Sequence, residues 1–438
     1  MEWYLALAII LGSVVIIMFL GMPVAFSFML VNFVGVFLFW GGVTGFDRLI
    51  ASMARSISIF TLIPIPLFVL LGLIMFYSGM VSSMIEALDR WIGRIPGRLS
   101  LLSIGGGTIL GALCGDSMAS VALTGTLLYP EMERKNYQKS FSLGSVLCTG
   151  RLALLIPPST LAVVLGGLAR ISIGGILIAI IVPGLILAAA YFLYVIIVCK
   201  LRPVLAPPYD VASVSLSEKI IPVLRDVVPL GIIVFLVTGV IFLGIATPSE
   251  AAATGAFGAI ILAAIYRKLN WKMMKNVLIS TLEITIMIFM IIASAVAFST
   301  NLAITGASRG MVEYVISLGL SPLWITTIMV LIILILGMFM ECVAMMLITI
   351  PLFMPIVTAA GIDPIWWAVV ILLAISIGPI TPPFGLDMFV LKGVVPPDIK
   401  MGDIYRAAIP FMIITLVVLV FLIAFPVLST WLPSLMRY

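Results

Sequence analysis

The sequence predicts an all-α integral membrane protein built as an inverted repeat, with five spans and one re-entrant hairpin in each half. Three observations carry that expectation. Of 438 residues, 63% are hydrophobic and only 9% charged, with a mean hydropathy of +1.34. Soluble domains carry about a quarter charged residues. This chain therefore lacks the polar surface to face water all round, which excludes a soluble enzyme, a disordered linker and a nucleic-acid binder. Apolar runs long enough for a hydrocarbon layer of ~30 Å recur along the whole chain. Helix breakers also repeat between the halves at a near-constant offset of 223 to 227 residues. Gly21, Gly35, Gly79, Gly93 and Gly111 return as Gly244, Gly258, Gly306, Gly319 and Gly337, and Pro130, Pro157-Pro158 and Pro183 return as Pro355, Pro382-Pro383 and Pro410.

Taken in order, the expected spans of the first repeat (1–205) are about 3–20, 23–41, 58–79, 142–168 and 173–200. The first has Glu2 rather than a basic region before it, so it reads as a span and not as a cleaved signal peptide. The most polar linker, 206–225, joins this repeat to the second (226–438), with spans at about 226–244, 248–266, 278–304, 364–390 and 405–433. Two apolar regions, 99–130 and 322–358, are too long for one span and are broken in the middle, at Gly111, Cys114, Gly115, Asp116 and Ser117 and at Gly337, Glu341 and Cys342. Each fits two short helices meeting at a polar tip, a backbone that membranes tolerate only where protein or water satisfies it. Segments 81–95 and 310–319 read as amphipathic helices in the interface, each leading into a hairpin.

Charge gives the orientation. With the N-terminus outside, the segments 80–98, 131–141, 200–225, 267–275 and 392–406 hold 17 of the 23 Lys and Arg, against five outside (Arg48, Arg55, Arg170, Arg309, Arg437). That is the asymmetry the positive-inside rule requires. Had the first hairpin spanned, Arg90, Arg94 and Arg98 would face the opposite side from Arg134, Lys135 and Lys139. An odd number of spans per half makes the two halves inverted relative to each other.

Histidine is absent, which removes His-ligated metals and His proton relays. Cys114, Cys148, Cys199 and Cys342 are scattered without CxxC spacing and read as small core residues. Candidate chemistry lies at four helix breaks. Pro157-Pro158 followed by Ser159, and Thr381-Pro382-Pro383 followed by Gly385, must open their helices, because each proline lacks an N–H and clashes with the preceding turn. Opened helices free carbonyls for a hard cation such as Na⁺ and amides for a carboxylate. Few charges lie at such depth: Asp116 beside Ser117, Glu341, Asp387 and Arg151. Asp116 has two readings, a cation ligand or the N-cap of the helix starting at Ser117. Arg151 also has two, an ion pair with Asp116 or Asp387 or a contact to substrate carboxylate. Thr247-Pro248-Ser249-Glu250 reads as a capping box, and Glu283 as a residue reaching a cytoplasmic interface. There is no GxxxxGK[ST] motif for nucleotide hydrolysis. An intramembrane enzyme would have to work with Asp116 or Glu341 alone.

Several stretches together resemble the large membrane subunit, DctM type, of the tripartite ATP-independent periplasmic (TRAP) transporters, over essentially the whole chain. They are LGMPVAF (20–26), IPLFVLLG (65–72), YSGM (77–80), GDSMASVALTGTLLYPEM (115–132), LIPPS (155–159), GIATPSEAAATGA (244–256), LGMFME (336–341), ITIPLFMPI (348–356) and GPITPPFGLDMFV (378–390). The resemblance implies an elevator-type permease in a bacterial inner membrane that takes up an organic acid with Na⁺ as coupling ion and no other cofactor. It also implies two partners, a periplasmic substrate-binding protein and a small four-helix membrane subunit. Carried over by motif, Asp116, Ser117, Pro157, Pro158 and Ser159 would form one Na⁺/substrate half-site, and Glu341, Thr381, Pro382, Pro383 and Gly385 the other. The chain departs from the family pattern at Asp116, Arg151, Cys342 and Asp387. A stand-alone divalent-anion/Na⁺ symporter of the same architecture is the alternative.

Overall fold

The computed structural model describes residues 2–40, 42–91, 95–208, 216–383 and 385–436, without the side chains of Val43, Val81, 110–114, Leu216 and Ser217. Arg94 and Arg437, part of the charge count, and residues 209–215 of the polar linker lie outside the described residues. Helices make up the ordered structure, with no strand among the described residues. Among the described residues, seven stretches of at least 18 residues are long and apolar enough to cross a membrane, and the bent pair Lys139–Leu155 with Thr160–Ala169 is an eighth. Four further apolar helices are shorter: Trp3–Phe19, Val24–Phe39, Pro322–Gly337 and Pro364–Ile380. One of the seven is Cys342–Ala359, which the sequence analysis assigns to a hairpin; its length and composition alone would let it span.

The same succession of elements occurs twice. Trp3–Phe19 ends two residues before Gly21 and Val228–Phe242 two residues before Gly244, and both glycines have positive φ (+91° and +70°). Gly79 and Gly306, again with positive φ, precede the short amphipathic helices Met80–Asp89 and Ala307–Ser317. Then come the paired arms Arg98–Cys114 and Ser117–Arg134, matched by Pro322–Gly337 and Cys342–Ala359. The opened helices follow: Lys139–Leu155 with Thr160–Ala169, and Pro364–Ile377 with Leu386–Val394. The Pro157-Pro158 and Pro382-Pro383 peptide bonds within them are both cis.

Four elements differ from the sequence reading. Val43–Ile57 is a helix whose apolar run is broken by Asp47, Arg48 and Arg55. The span expected at 278–304 is the end of a single 34-residue helix, Trp271–Ile304. In the first half the matching stretch is interrupted at Ser58 and Ile59 and restarts with Pro64 at a helix N-terminus. The run at 405–433 is not one span: Met401–Ala424 stops before Pro426, and a short helix Val427–Ser434 follows. The first amphipathic segment is helical only to Asp89, and residues 92–94 lie outside the described residues.

Buried polar contacts hold the long helices in register. Asn32 donates to the Ser294 carbonyl (2.8 Å), and Asn301 donates to the Asn32 side-chain oxygen (3.0 Å). These bonds clamp Val24–Phe39 to Trp271–Ile304. A Cβ on Gly35 would come within 3.1 Å of Asn301, so the missing side chain is what allows this approach. Tyr191 and Thr415 share a 2.6 Å hydrogen bond between the last long helices of the two halves. Large apolar side chains such as Phe19, Phe235, Ile245 and Val420 stay exposed, as expected of a surface solvated by lipid. Cys148, Cys199 and Cys342 are buried free thiols; the Cys114 side chain is outside the described residues.

Candidate functional site

The first hairpin turns in two residues. Gly115 has a φ of +61°, and a Cβ there would sit 2.9 Å from both the Pro158 carbonyl oxygen and the Thr160 hydroxyl. Only glycine fits a tip pressed this closely against the opened helix. Asp116 then caps the second arm, accepting a 3.0 Å hydrogen bond from the Ala119 amide while remaining exposed. The second tip uses the same device. Glu341 caps Cys342–Ala359 by accepting from the amides of Val343 and Ala344 (2.9 and 3.2 Å). Behind it, Gly337 and Gly378 touch so closely that a Cβ on either would meet the other's Cα at 3.0 Å or less.

Arg151 pairs with Asp387, not with Asp116. Both side chains are fully buried, and the pair joins the two opened helices. Ser117 donates to the other Asp387 oxygen at 3.1 Å and so fastens the first hairpin to the same pair. Arg151 Nε and Nη1 have no hydrogen-bond partner. A charge this far from water is expensive, and its counter-charge offsets the cost only while both are present.

These pieces surround a cavity of about 340 Å³. Gly115, Asp116, Ser117, Glu341, Cys342 and Asp387 line it from the breaks. Thr160, Pro379 and Leu386 add walls from the opened helices, and the long helices close it with Leu73, Tyr77 and Ile288. Among the described residues, no Lys or Arg lines it. Of the residues the sequence singles out, Asp116, Ser117, Glu341 and Asp387 are brought together here.

The others take supporting places. Pro157, Pro158 and Ser159 are buried behind the cavity wall. Ser159 donates to the Leu154 carbonyl (2.7 Å) and caps the following half-helix by accepting from Ala162 (3.3 Å). Pro382 and Pro383 are exposed, and Thr381 spends its hydroxyl on the Ile377 carbonyl (2.8 Å). Gly385 is buried at the start of Leu386–Val394, outside the lining. Arg151 is shielded from the cavity by Asp387, so the ion-pair reading of this residue is the one the geometry favours. Thr160 and Tyr77 are lining residues that sequence reasoning missed. Thr160 directly follows the LIPPS stretch and Tyr77 opens YSGM, so adjacency was the available signal. The Thr247–Glu250 capping box forms as expected, with the Thr247 amide donating to Glu250 (2.8 Å).

A model of the DctM component of the tripartite ATP-independent periplasmic transporters matches residues 11–428. The chain belongs to this family. It is 34% identical over 376 residues to the C4-dicarboxylate TRAP transporter large permease protein DctM of Pseudomonas aeruginosa, covering 86% of each chain. It is 28% identical to the ectoine TRAP large permease TeaC of Halomonas elongata (98% of this chain, 99% of that one). It is also 28% identical to the sialic acid TRAP large permease SiaM of Vibrio cholerae (96% of each). Among solved structures, the YdaH transporter of Alcanivorax borkumensis matches with a TM-score of 0.65 at 15% identity, over 88% of this chain and 89% of that one; this likeness concerns the fold alone. The chain is thus a multi-pass membrane permease subunit and not an enzyme.

Proposed function

We propose that this TRAP large permease takes up an organic acid in symport with Na⁺, receiving it from a periplasmic binding protein and working beside a small four-helix membrane subunit. The observation that carries the reading is the cavity where both hairpin tips meet both opened helices. It presents the Asp116, Glu341 and Asp387 carboxylates together with half-helix termini. Carboxylate and hydroxyl oxygens suit a hard monovalent cation, and the amides at half-helix N-termini suit an anion. The two successions of elements fit an inverted repeat, with the hairpins and opened helices moving as one body against the long helices in the manner of an elevator. The lysine- and arginine-rich segments would face the cytoplasm and the N-terminus the periplasm. The relatives' names cover dicarboxylate, ectoine and sialic acid, so the acid itself is assigned only to that broad class.

The test is uptake into proteoliposomes holding the chain with the small subunit and binding protein from the same source. Substrates found by screening ligands of the binding protein should accumulate only with an inward Na⁺ gradient. Accumulation driven equally by K⁺ would overturn Na⁺ coupling. Uptake by this chain alone would replace the tripartite reading with a stand-alone symporter.

A further inference from the structure

A second cavity of about 620 Å³ lies along three of the elements that line the first. On the helix Trp271–Ile304 the first cavity touches Ile284, Met287 and Ile288, and the second touches Ile292 and Val296. Along Thr160–Ala169 the lining passes from Val164 in the first cavity to Gly166, Gly167 and Arg170 in the second. Along Phe60–Tyr77 it passes from Val69 to Pro64, Leu62 and Phe60. On the long helix the two linings are only four residues apart at their nearest, about 6 Å of rise. Ile65, Phe68 and Leu165, which lie between, are buried in the apolar core.

The two cavities carry opposite charge. Among the described residues, the first is lined by three carboxylates, of which Asp387 is paired with Arg151 behind it, and by no base; the second is lined by Arg170 and no acid, with the hydroxyl residues Ser56, Thr61, Ser172, Thr247 and Ser249 around it. Arg170 is exposed, and among the described residues its side chain has no ion-pair or hydrogen-bond partner. Glu250 is committed to the Thr247 cap and does not line the space. The backbone is also unusual, because Arg170 holds a φ of +56°, a left-handed conformation that strains a side-chain-bearing residue and costs glycine almost nothing. A cation there gains from the helix C-terminus, but a cavity walled by hydroxyls around an unpaired guanidinium is more than that gain requires.

We propose that this second cavity is a receiving site for carboxylates, in which Arg170 holds the acid group before the ligand reaches the acid-lined cavity. The site's purpose rests on the transport reading above; its charge preference does not. An anion entering from outside would then meet its single fixed cation first, and would meet the carboxylates only after a coupling cation has been bound there.

The test uses single cysteines at the exposed lining positions, Thr61→Cys and separately Ile59→Cys, with the unsubstituted chain as background. Membrane-impermeant methanethiosulfonates carrying a sulfonate or a quaternary ammonium are added outside right-side-out vesicles at low salt. Rates are normalised to a free thiol. The sulfonate should react roughly fivefold faster or more, a ratio set by one nearby cation and reduced by screening salt. Arg170→Gln should bring the ratio to about one, and Arg170→Lys should retain it. Succinate should protect the cysteine in the parent chain and not in Arg170→Gln. A ratio near one in the parent, a ratio untouched by Arg170→Gln, or labelling only from the inner side would overturn the proposal. If the charge preference holds while Na⁺-driven uptake fails, the transport reading falls and the receiving site stands.

Discussion

Arg151 and Asp387, 236 residues apart in sequence, neutralise each other at full burial and tie the two opened helices together. Removing one charge leaves the other stranded away from water, which costs on the order of 3–5 kcal/mol. Arg151→Gln and Asp387→Asn should each lower the melting temperature in detergent sharply. The double variant should recover much of the loss, giving a coupling energy of roughly 1–3 kcal/mol in a double-mutant cycle. Additive losses would mean that the pair does not act as a unit.

The acidic caps allow fold and charge to be separated. Asp116→Asn keeps an N-cap oxygen for the Ala119 amide and should change stability by only tenths of a kcal/mol. Asp116→Ala loses the cap and should cost about 0.5–2 kcal/mol. If the carboxylate also serves a cation, Asp116→Asn should raise the Na⁺ concentration for half-maximal uptake although the protein stays folded. Wild-type Na⁺ titrations in that variant would leave Asp116 as a cap alone.

Gly115→Ala adds a methyl group 2.9 Å from the Pro158 carbonyl oxygen at a residue with positive φ. Both penalties act together, and the tip must back away from the opened helix. About 1–3 kcal/mol of destabilisation is expected, with uptake falling further than thermal stability would explain. Gly393→Ala, inside the helix Leu386–Val394 where a Cβ meets nothing within 4 Å, serves as the control and should lower neither stability nor uptake.

One pH effect can be read outside the spans. Asp398 is exposed and accepts a 2.5 Å hydrogen bond from Lys139, which holds its carboxyl below the usual value of 3.8. A carboxyl group depressed in the folded state stabilises it above its unfolded pKa, and that contribution disappears as pH falls through the folded value. The difference in melting temperature between wild type and Asp398→Asn should therefore be constant from neutrality down to about pH 5 and fade below about pH 4. Exposure keeps the difference small. A gap that grew on acidification would contradict the assigned pair.

The elements best legible in sequence were those set by backbone chemistry. Proline pairs, tip glycines and the Thr247 cap announce themselves through missing N–H groups, positive φ and short-range hydrogen bonds, and all of them fall where expected. Asp116, Ser117, Glu341 and Asp387 were also legible as candidates, because charge or hydroxyl beside a break has few other uses in an apolar run, and the four line one cavity. What escaped depends on distant neighbours. Whether Arg151 meets Asp116 or Asp387 is a question of how two halves pack, and no local pattern encodes it. The prolines at 382 and 383 open their helix yet face away from the cavity, since the kink is local but its direction is tertiary. Val43–Ile57 was not legible because Asp47, Arg48 and Arg55 interrupt its apolar run.

The clamp between Asn32 and Asn301 joins helices of very unequal length. Val24–Phe39 has 16 residues and Trp271–Ile304 has 34, about 24 Å against 51 Å of rise. A flat hydrocarbon slab of ~30 Å cannot match both. Tilt absorbs part of the excess in the long helix, but the short one still leaves the membrane to thin beside it or a neighbouring subunit to fill the gap. Bilayer thickness thereby becomes a variable of the machine itself, and reconstitutions in short-chain and long-chain lipids should not be treated as equivalent.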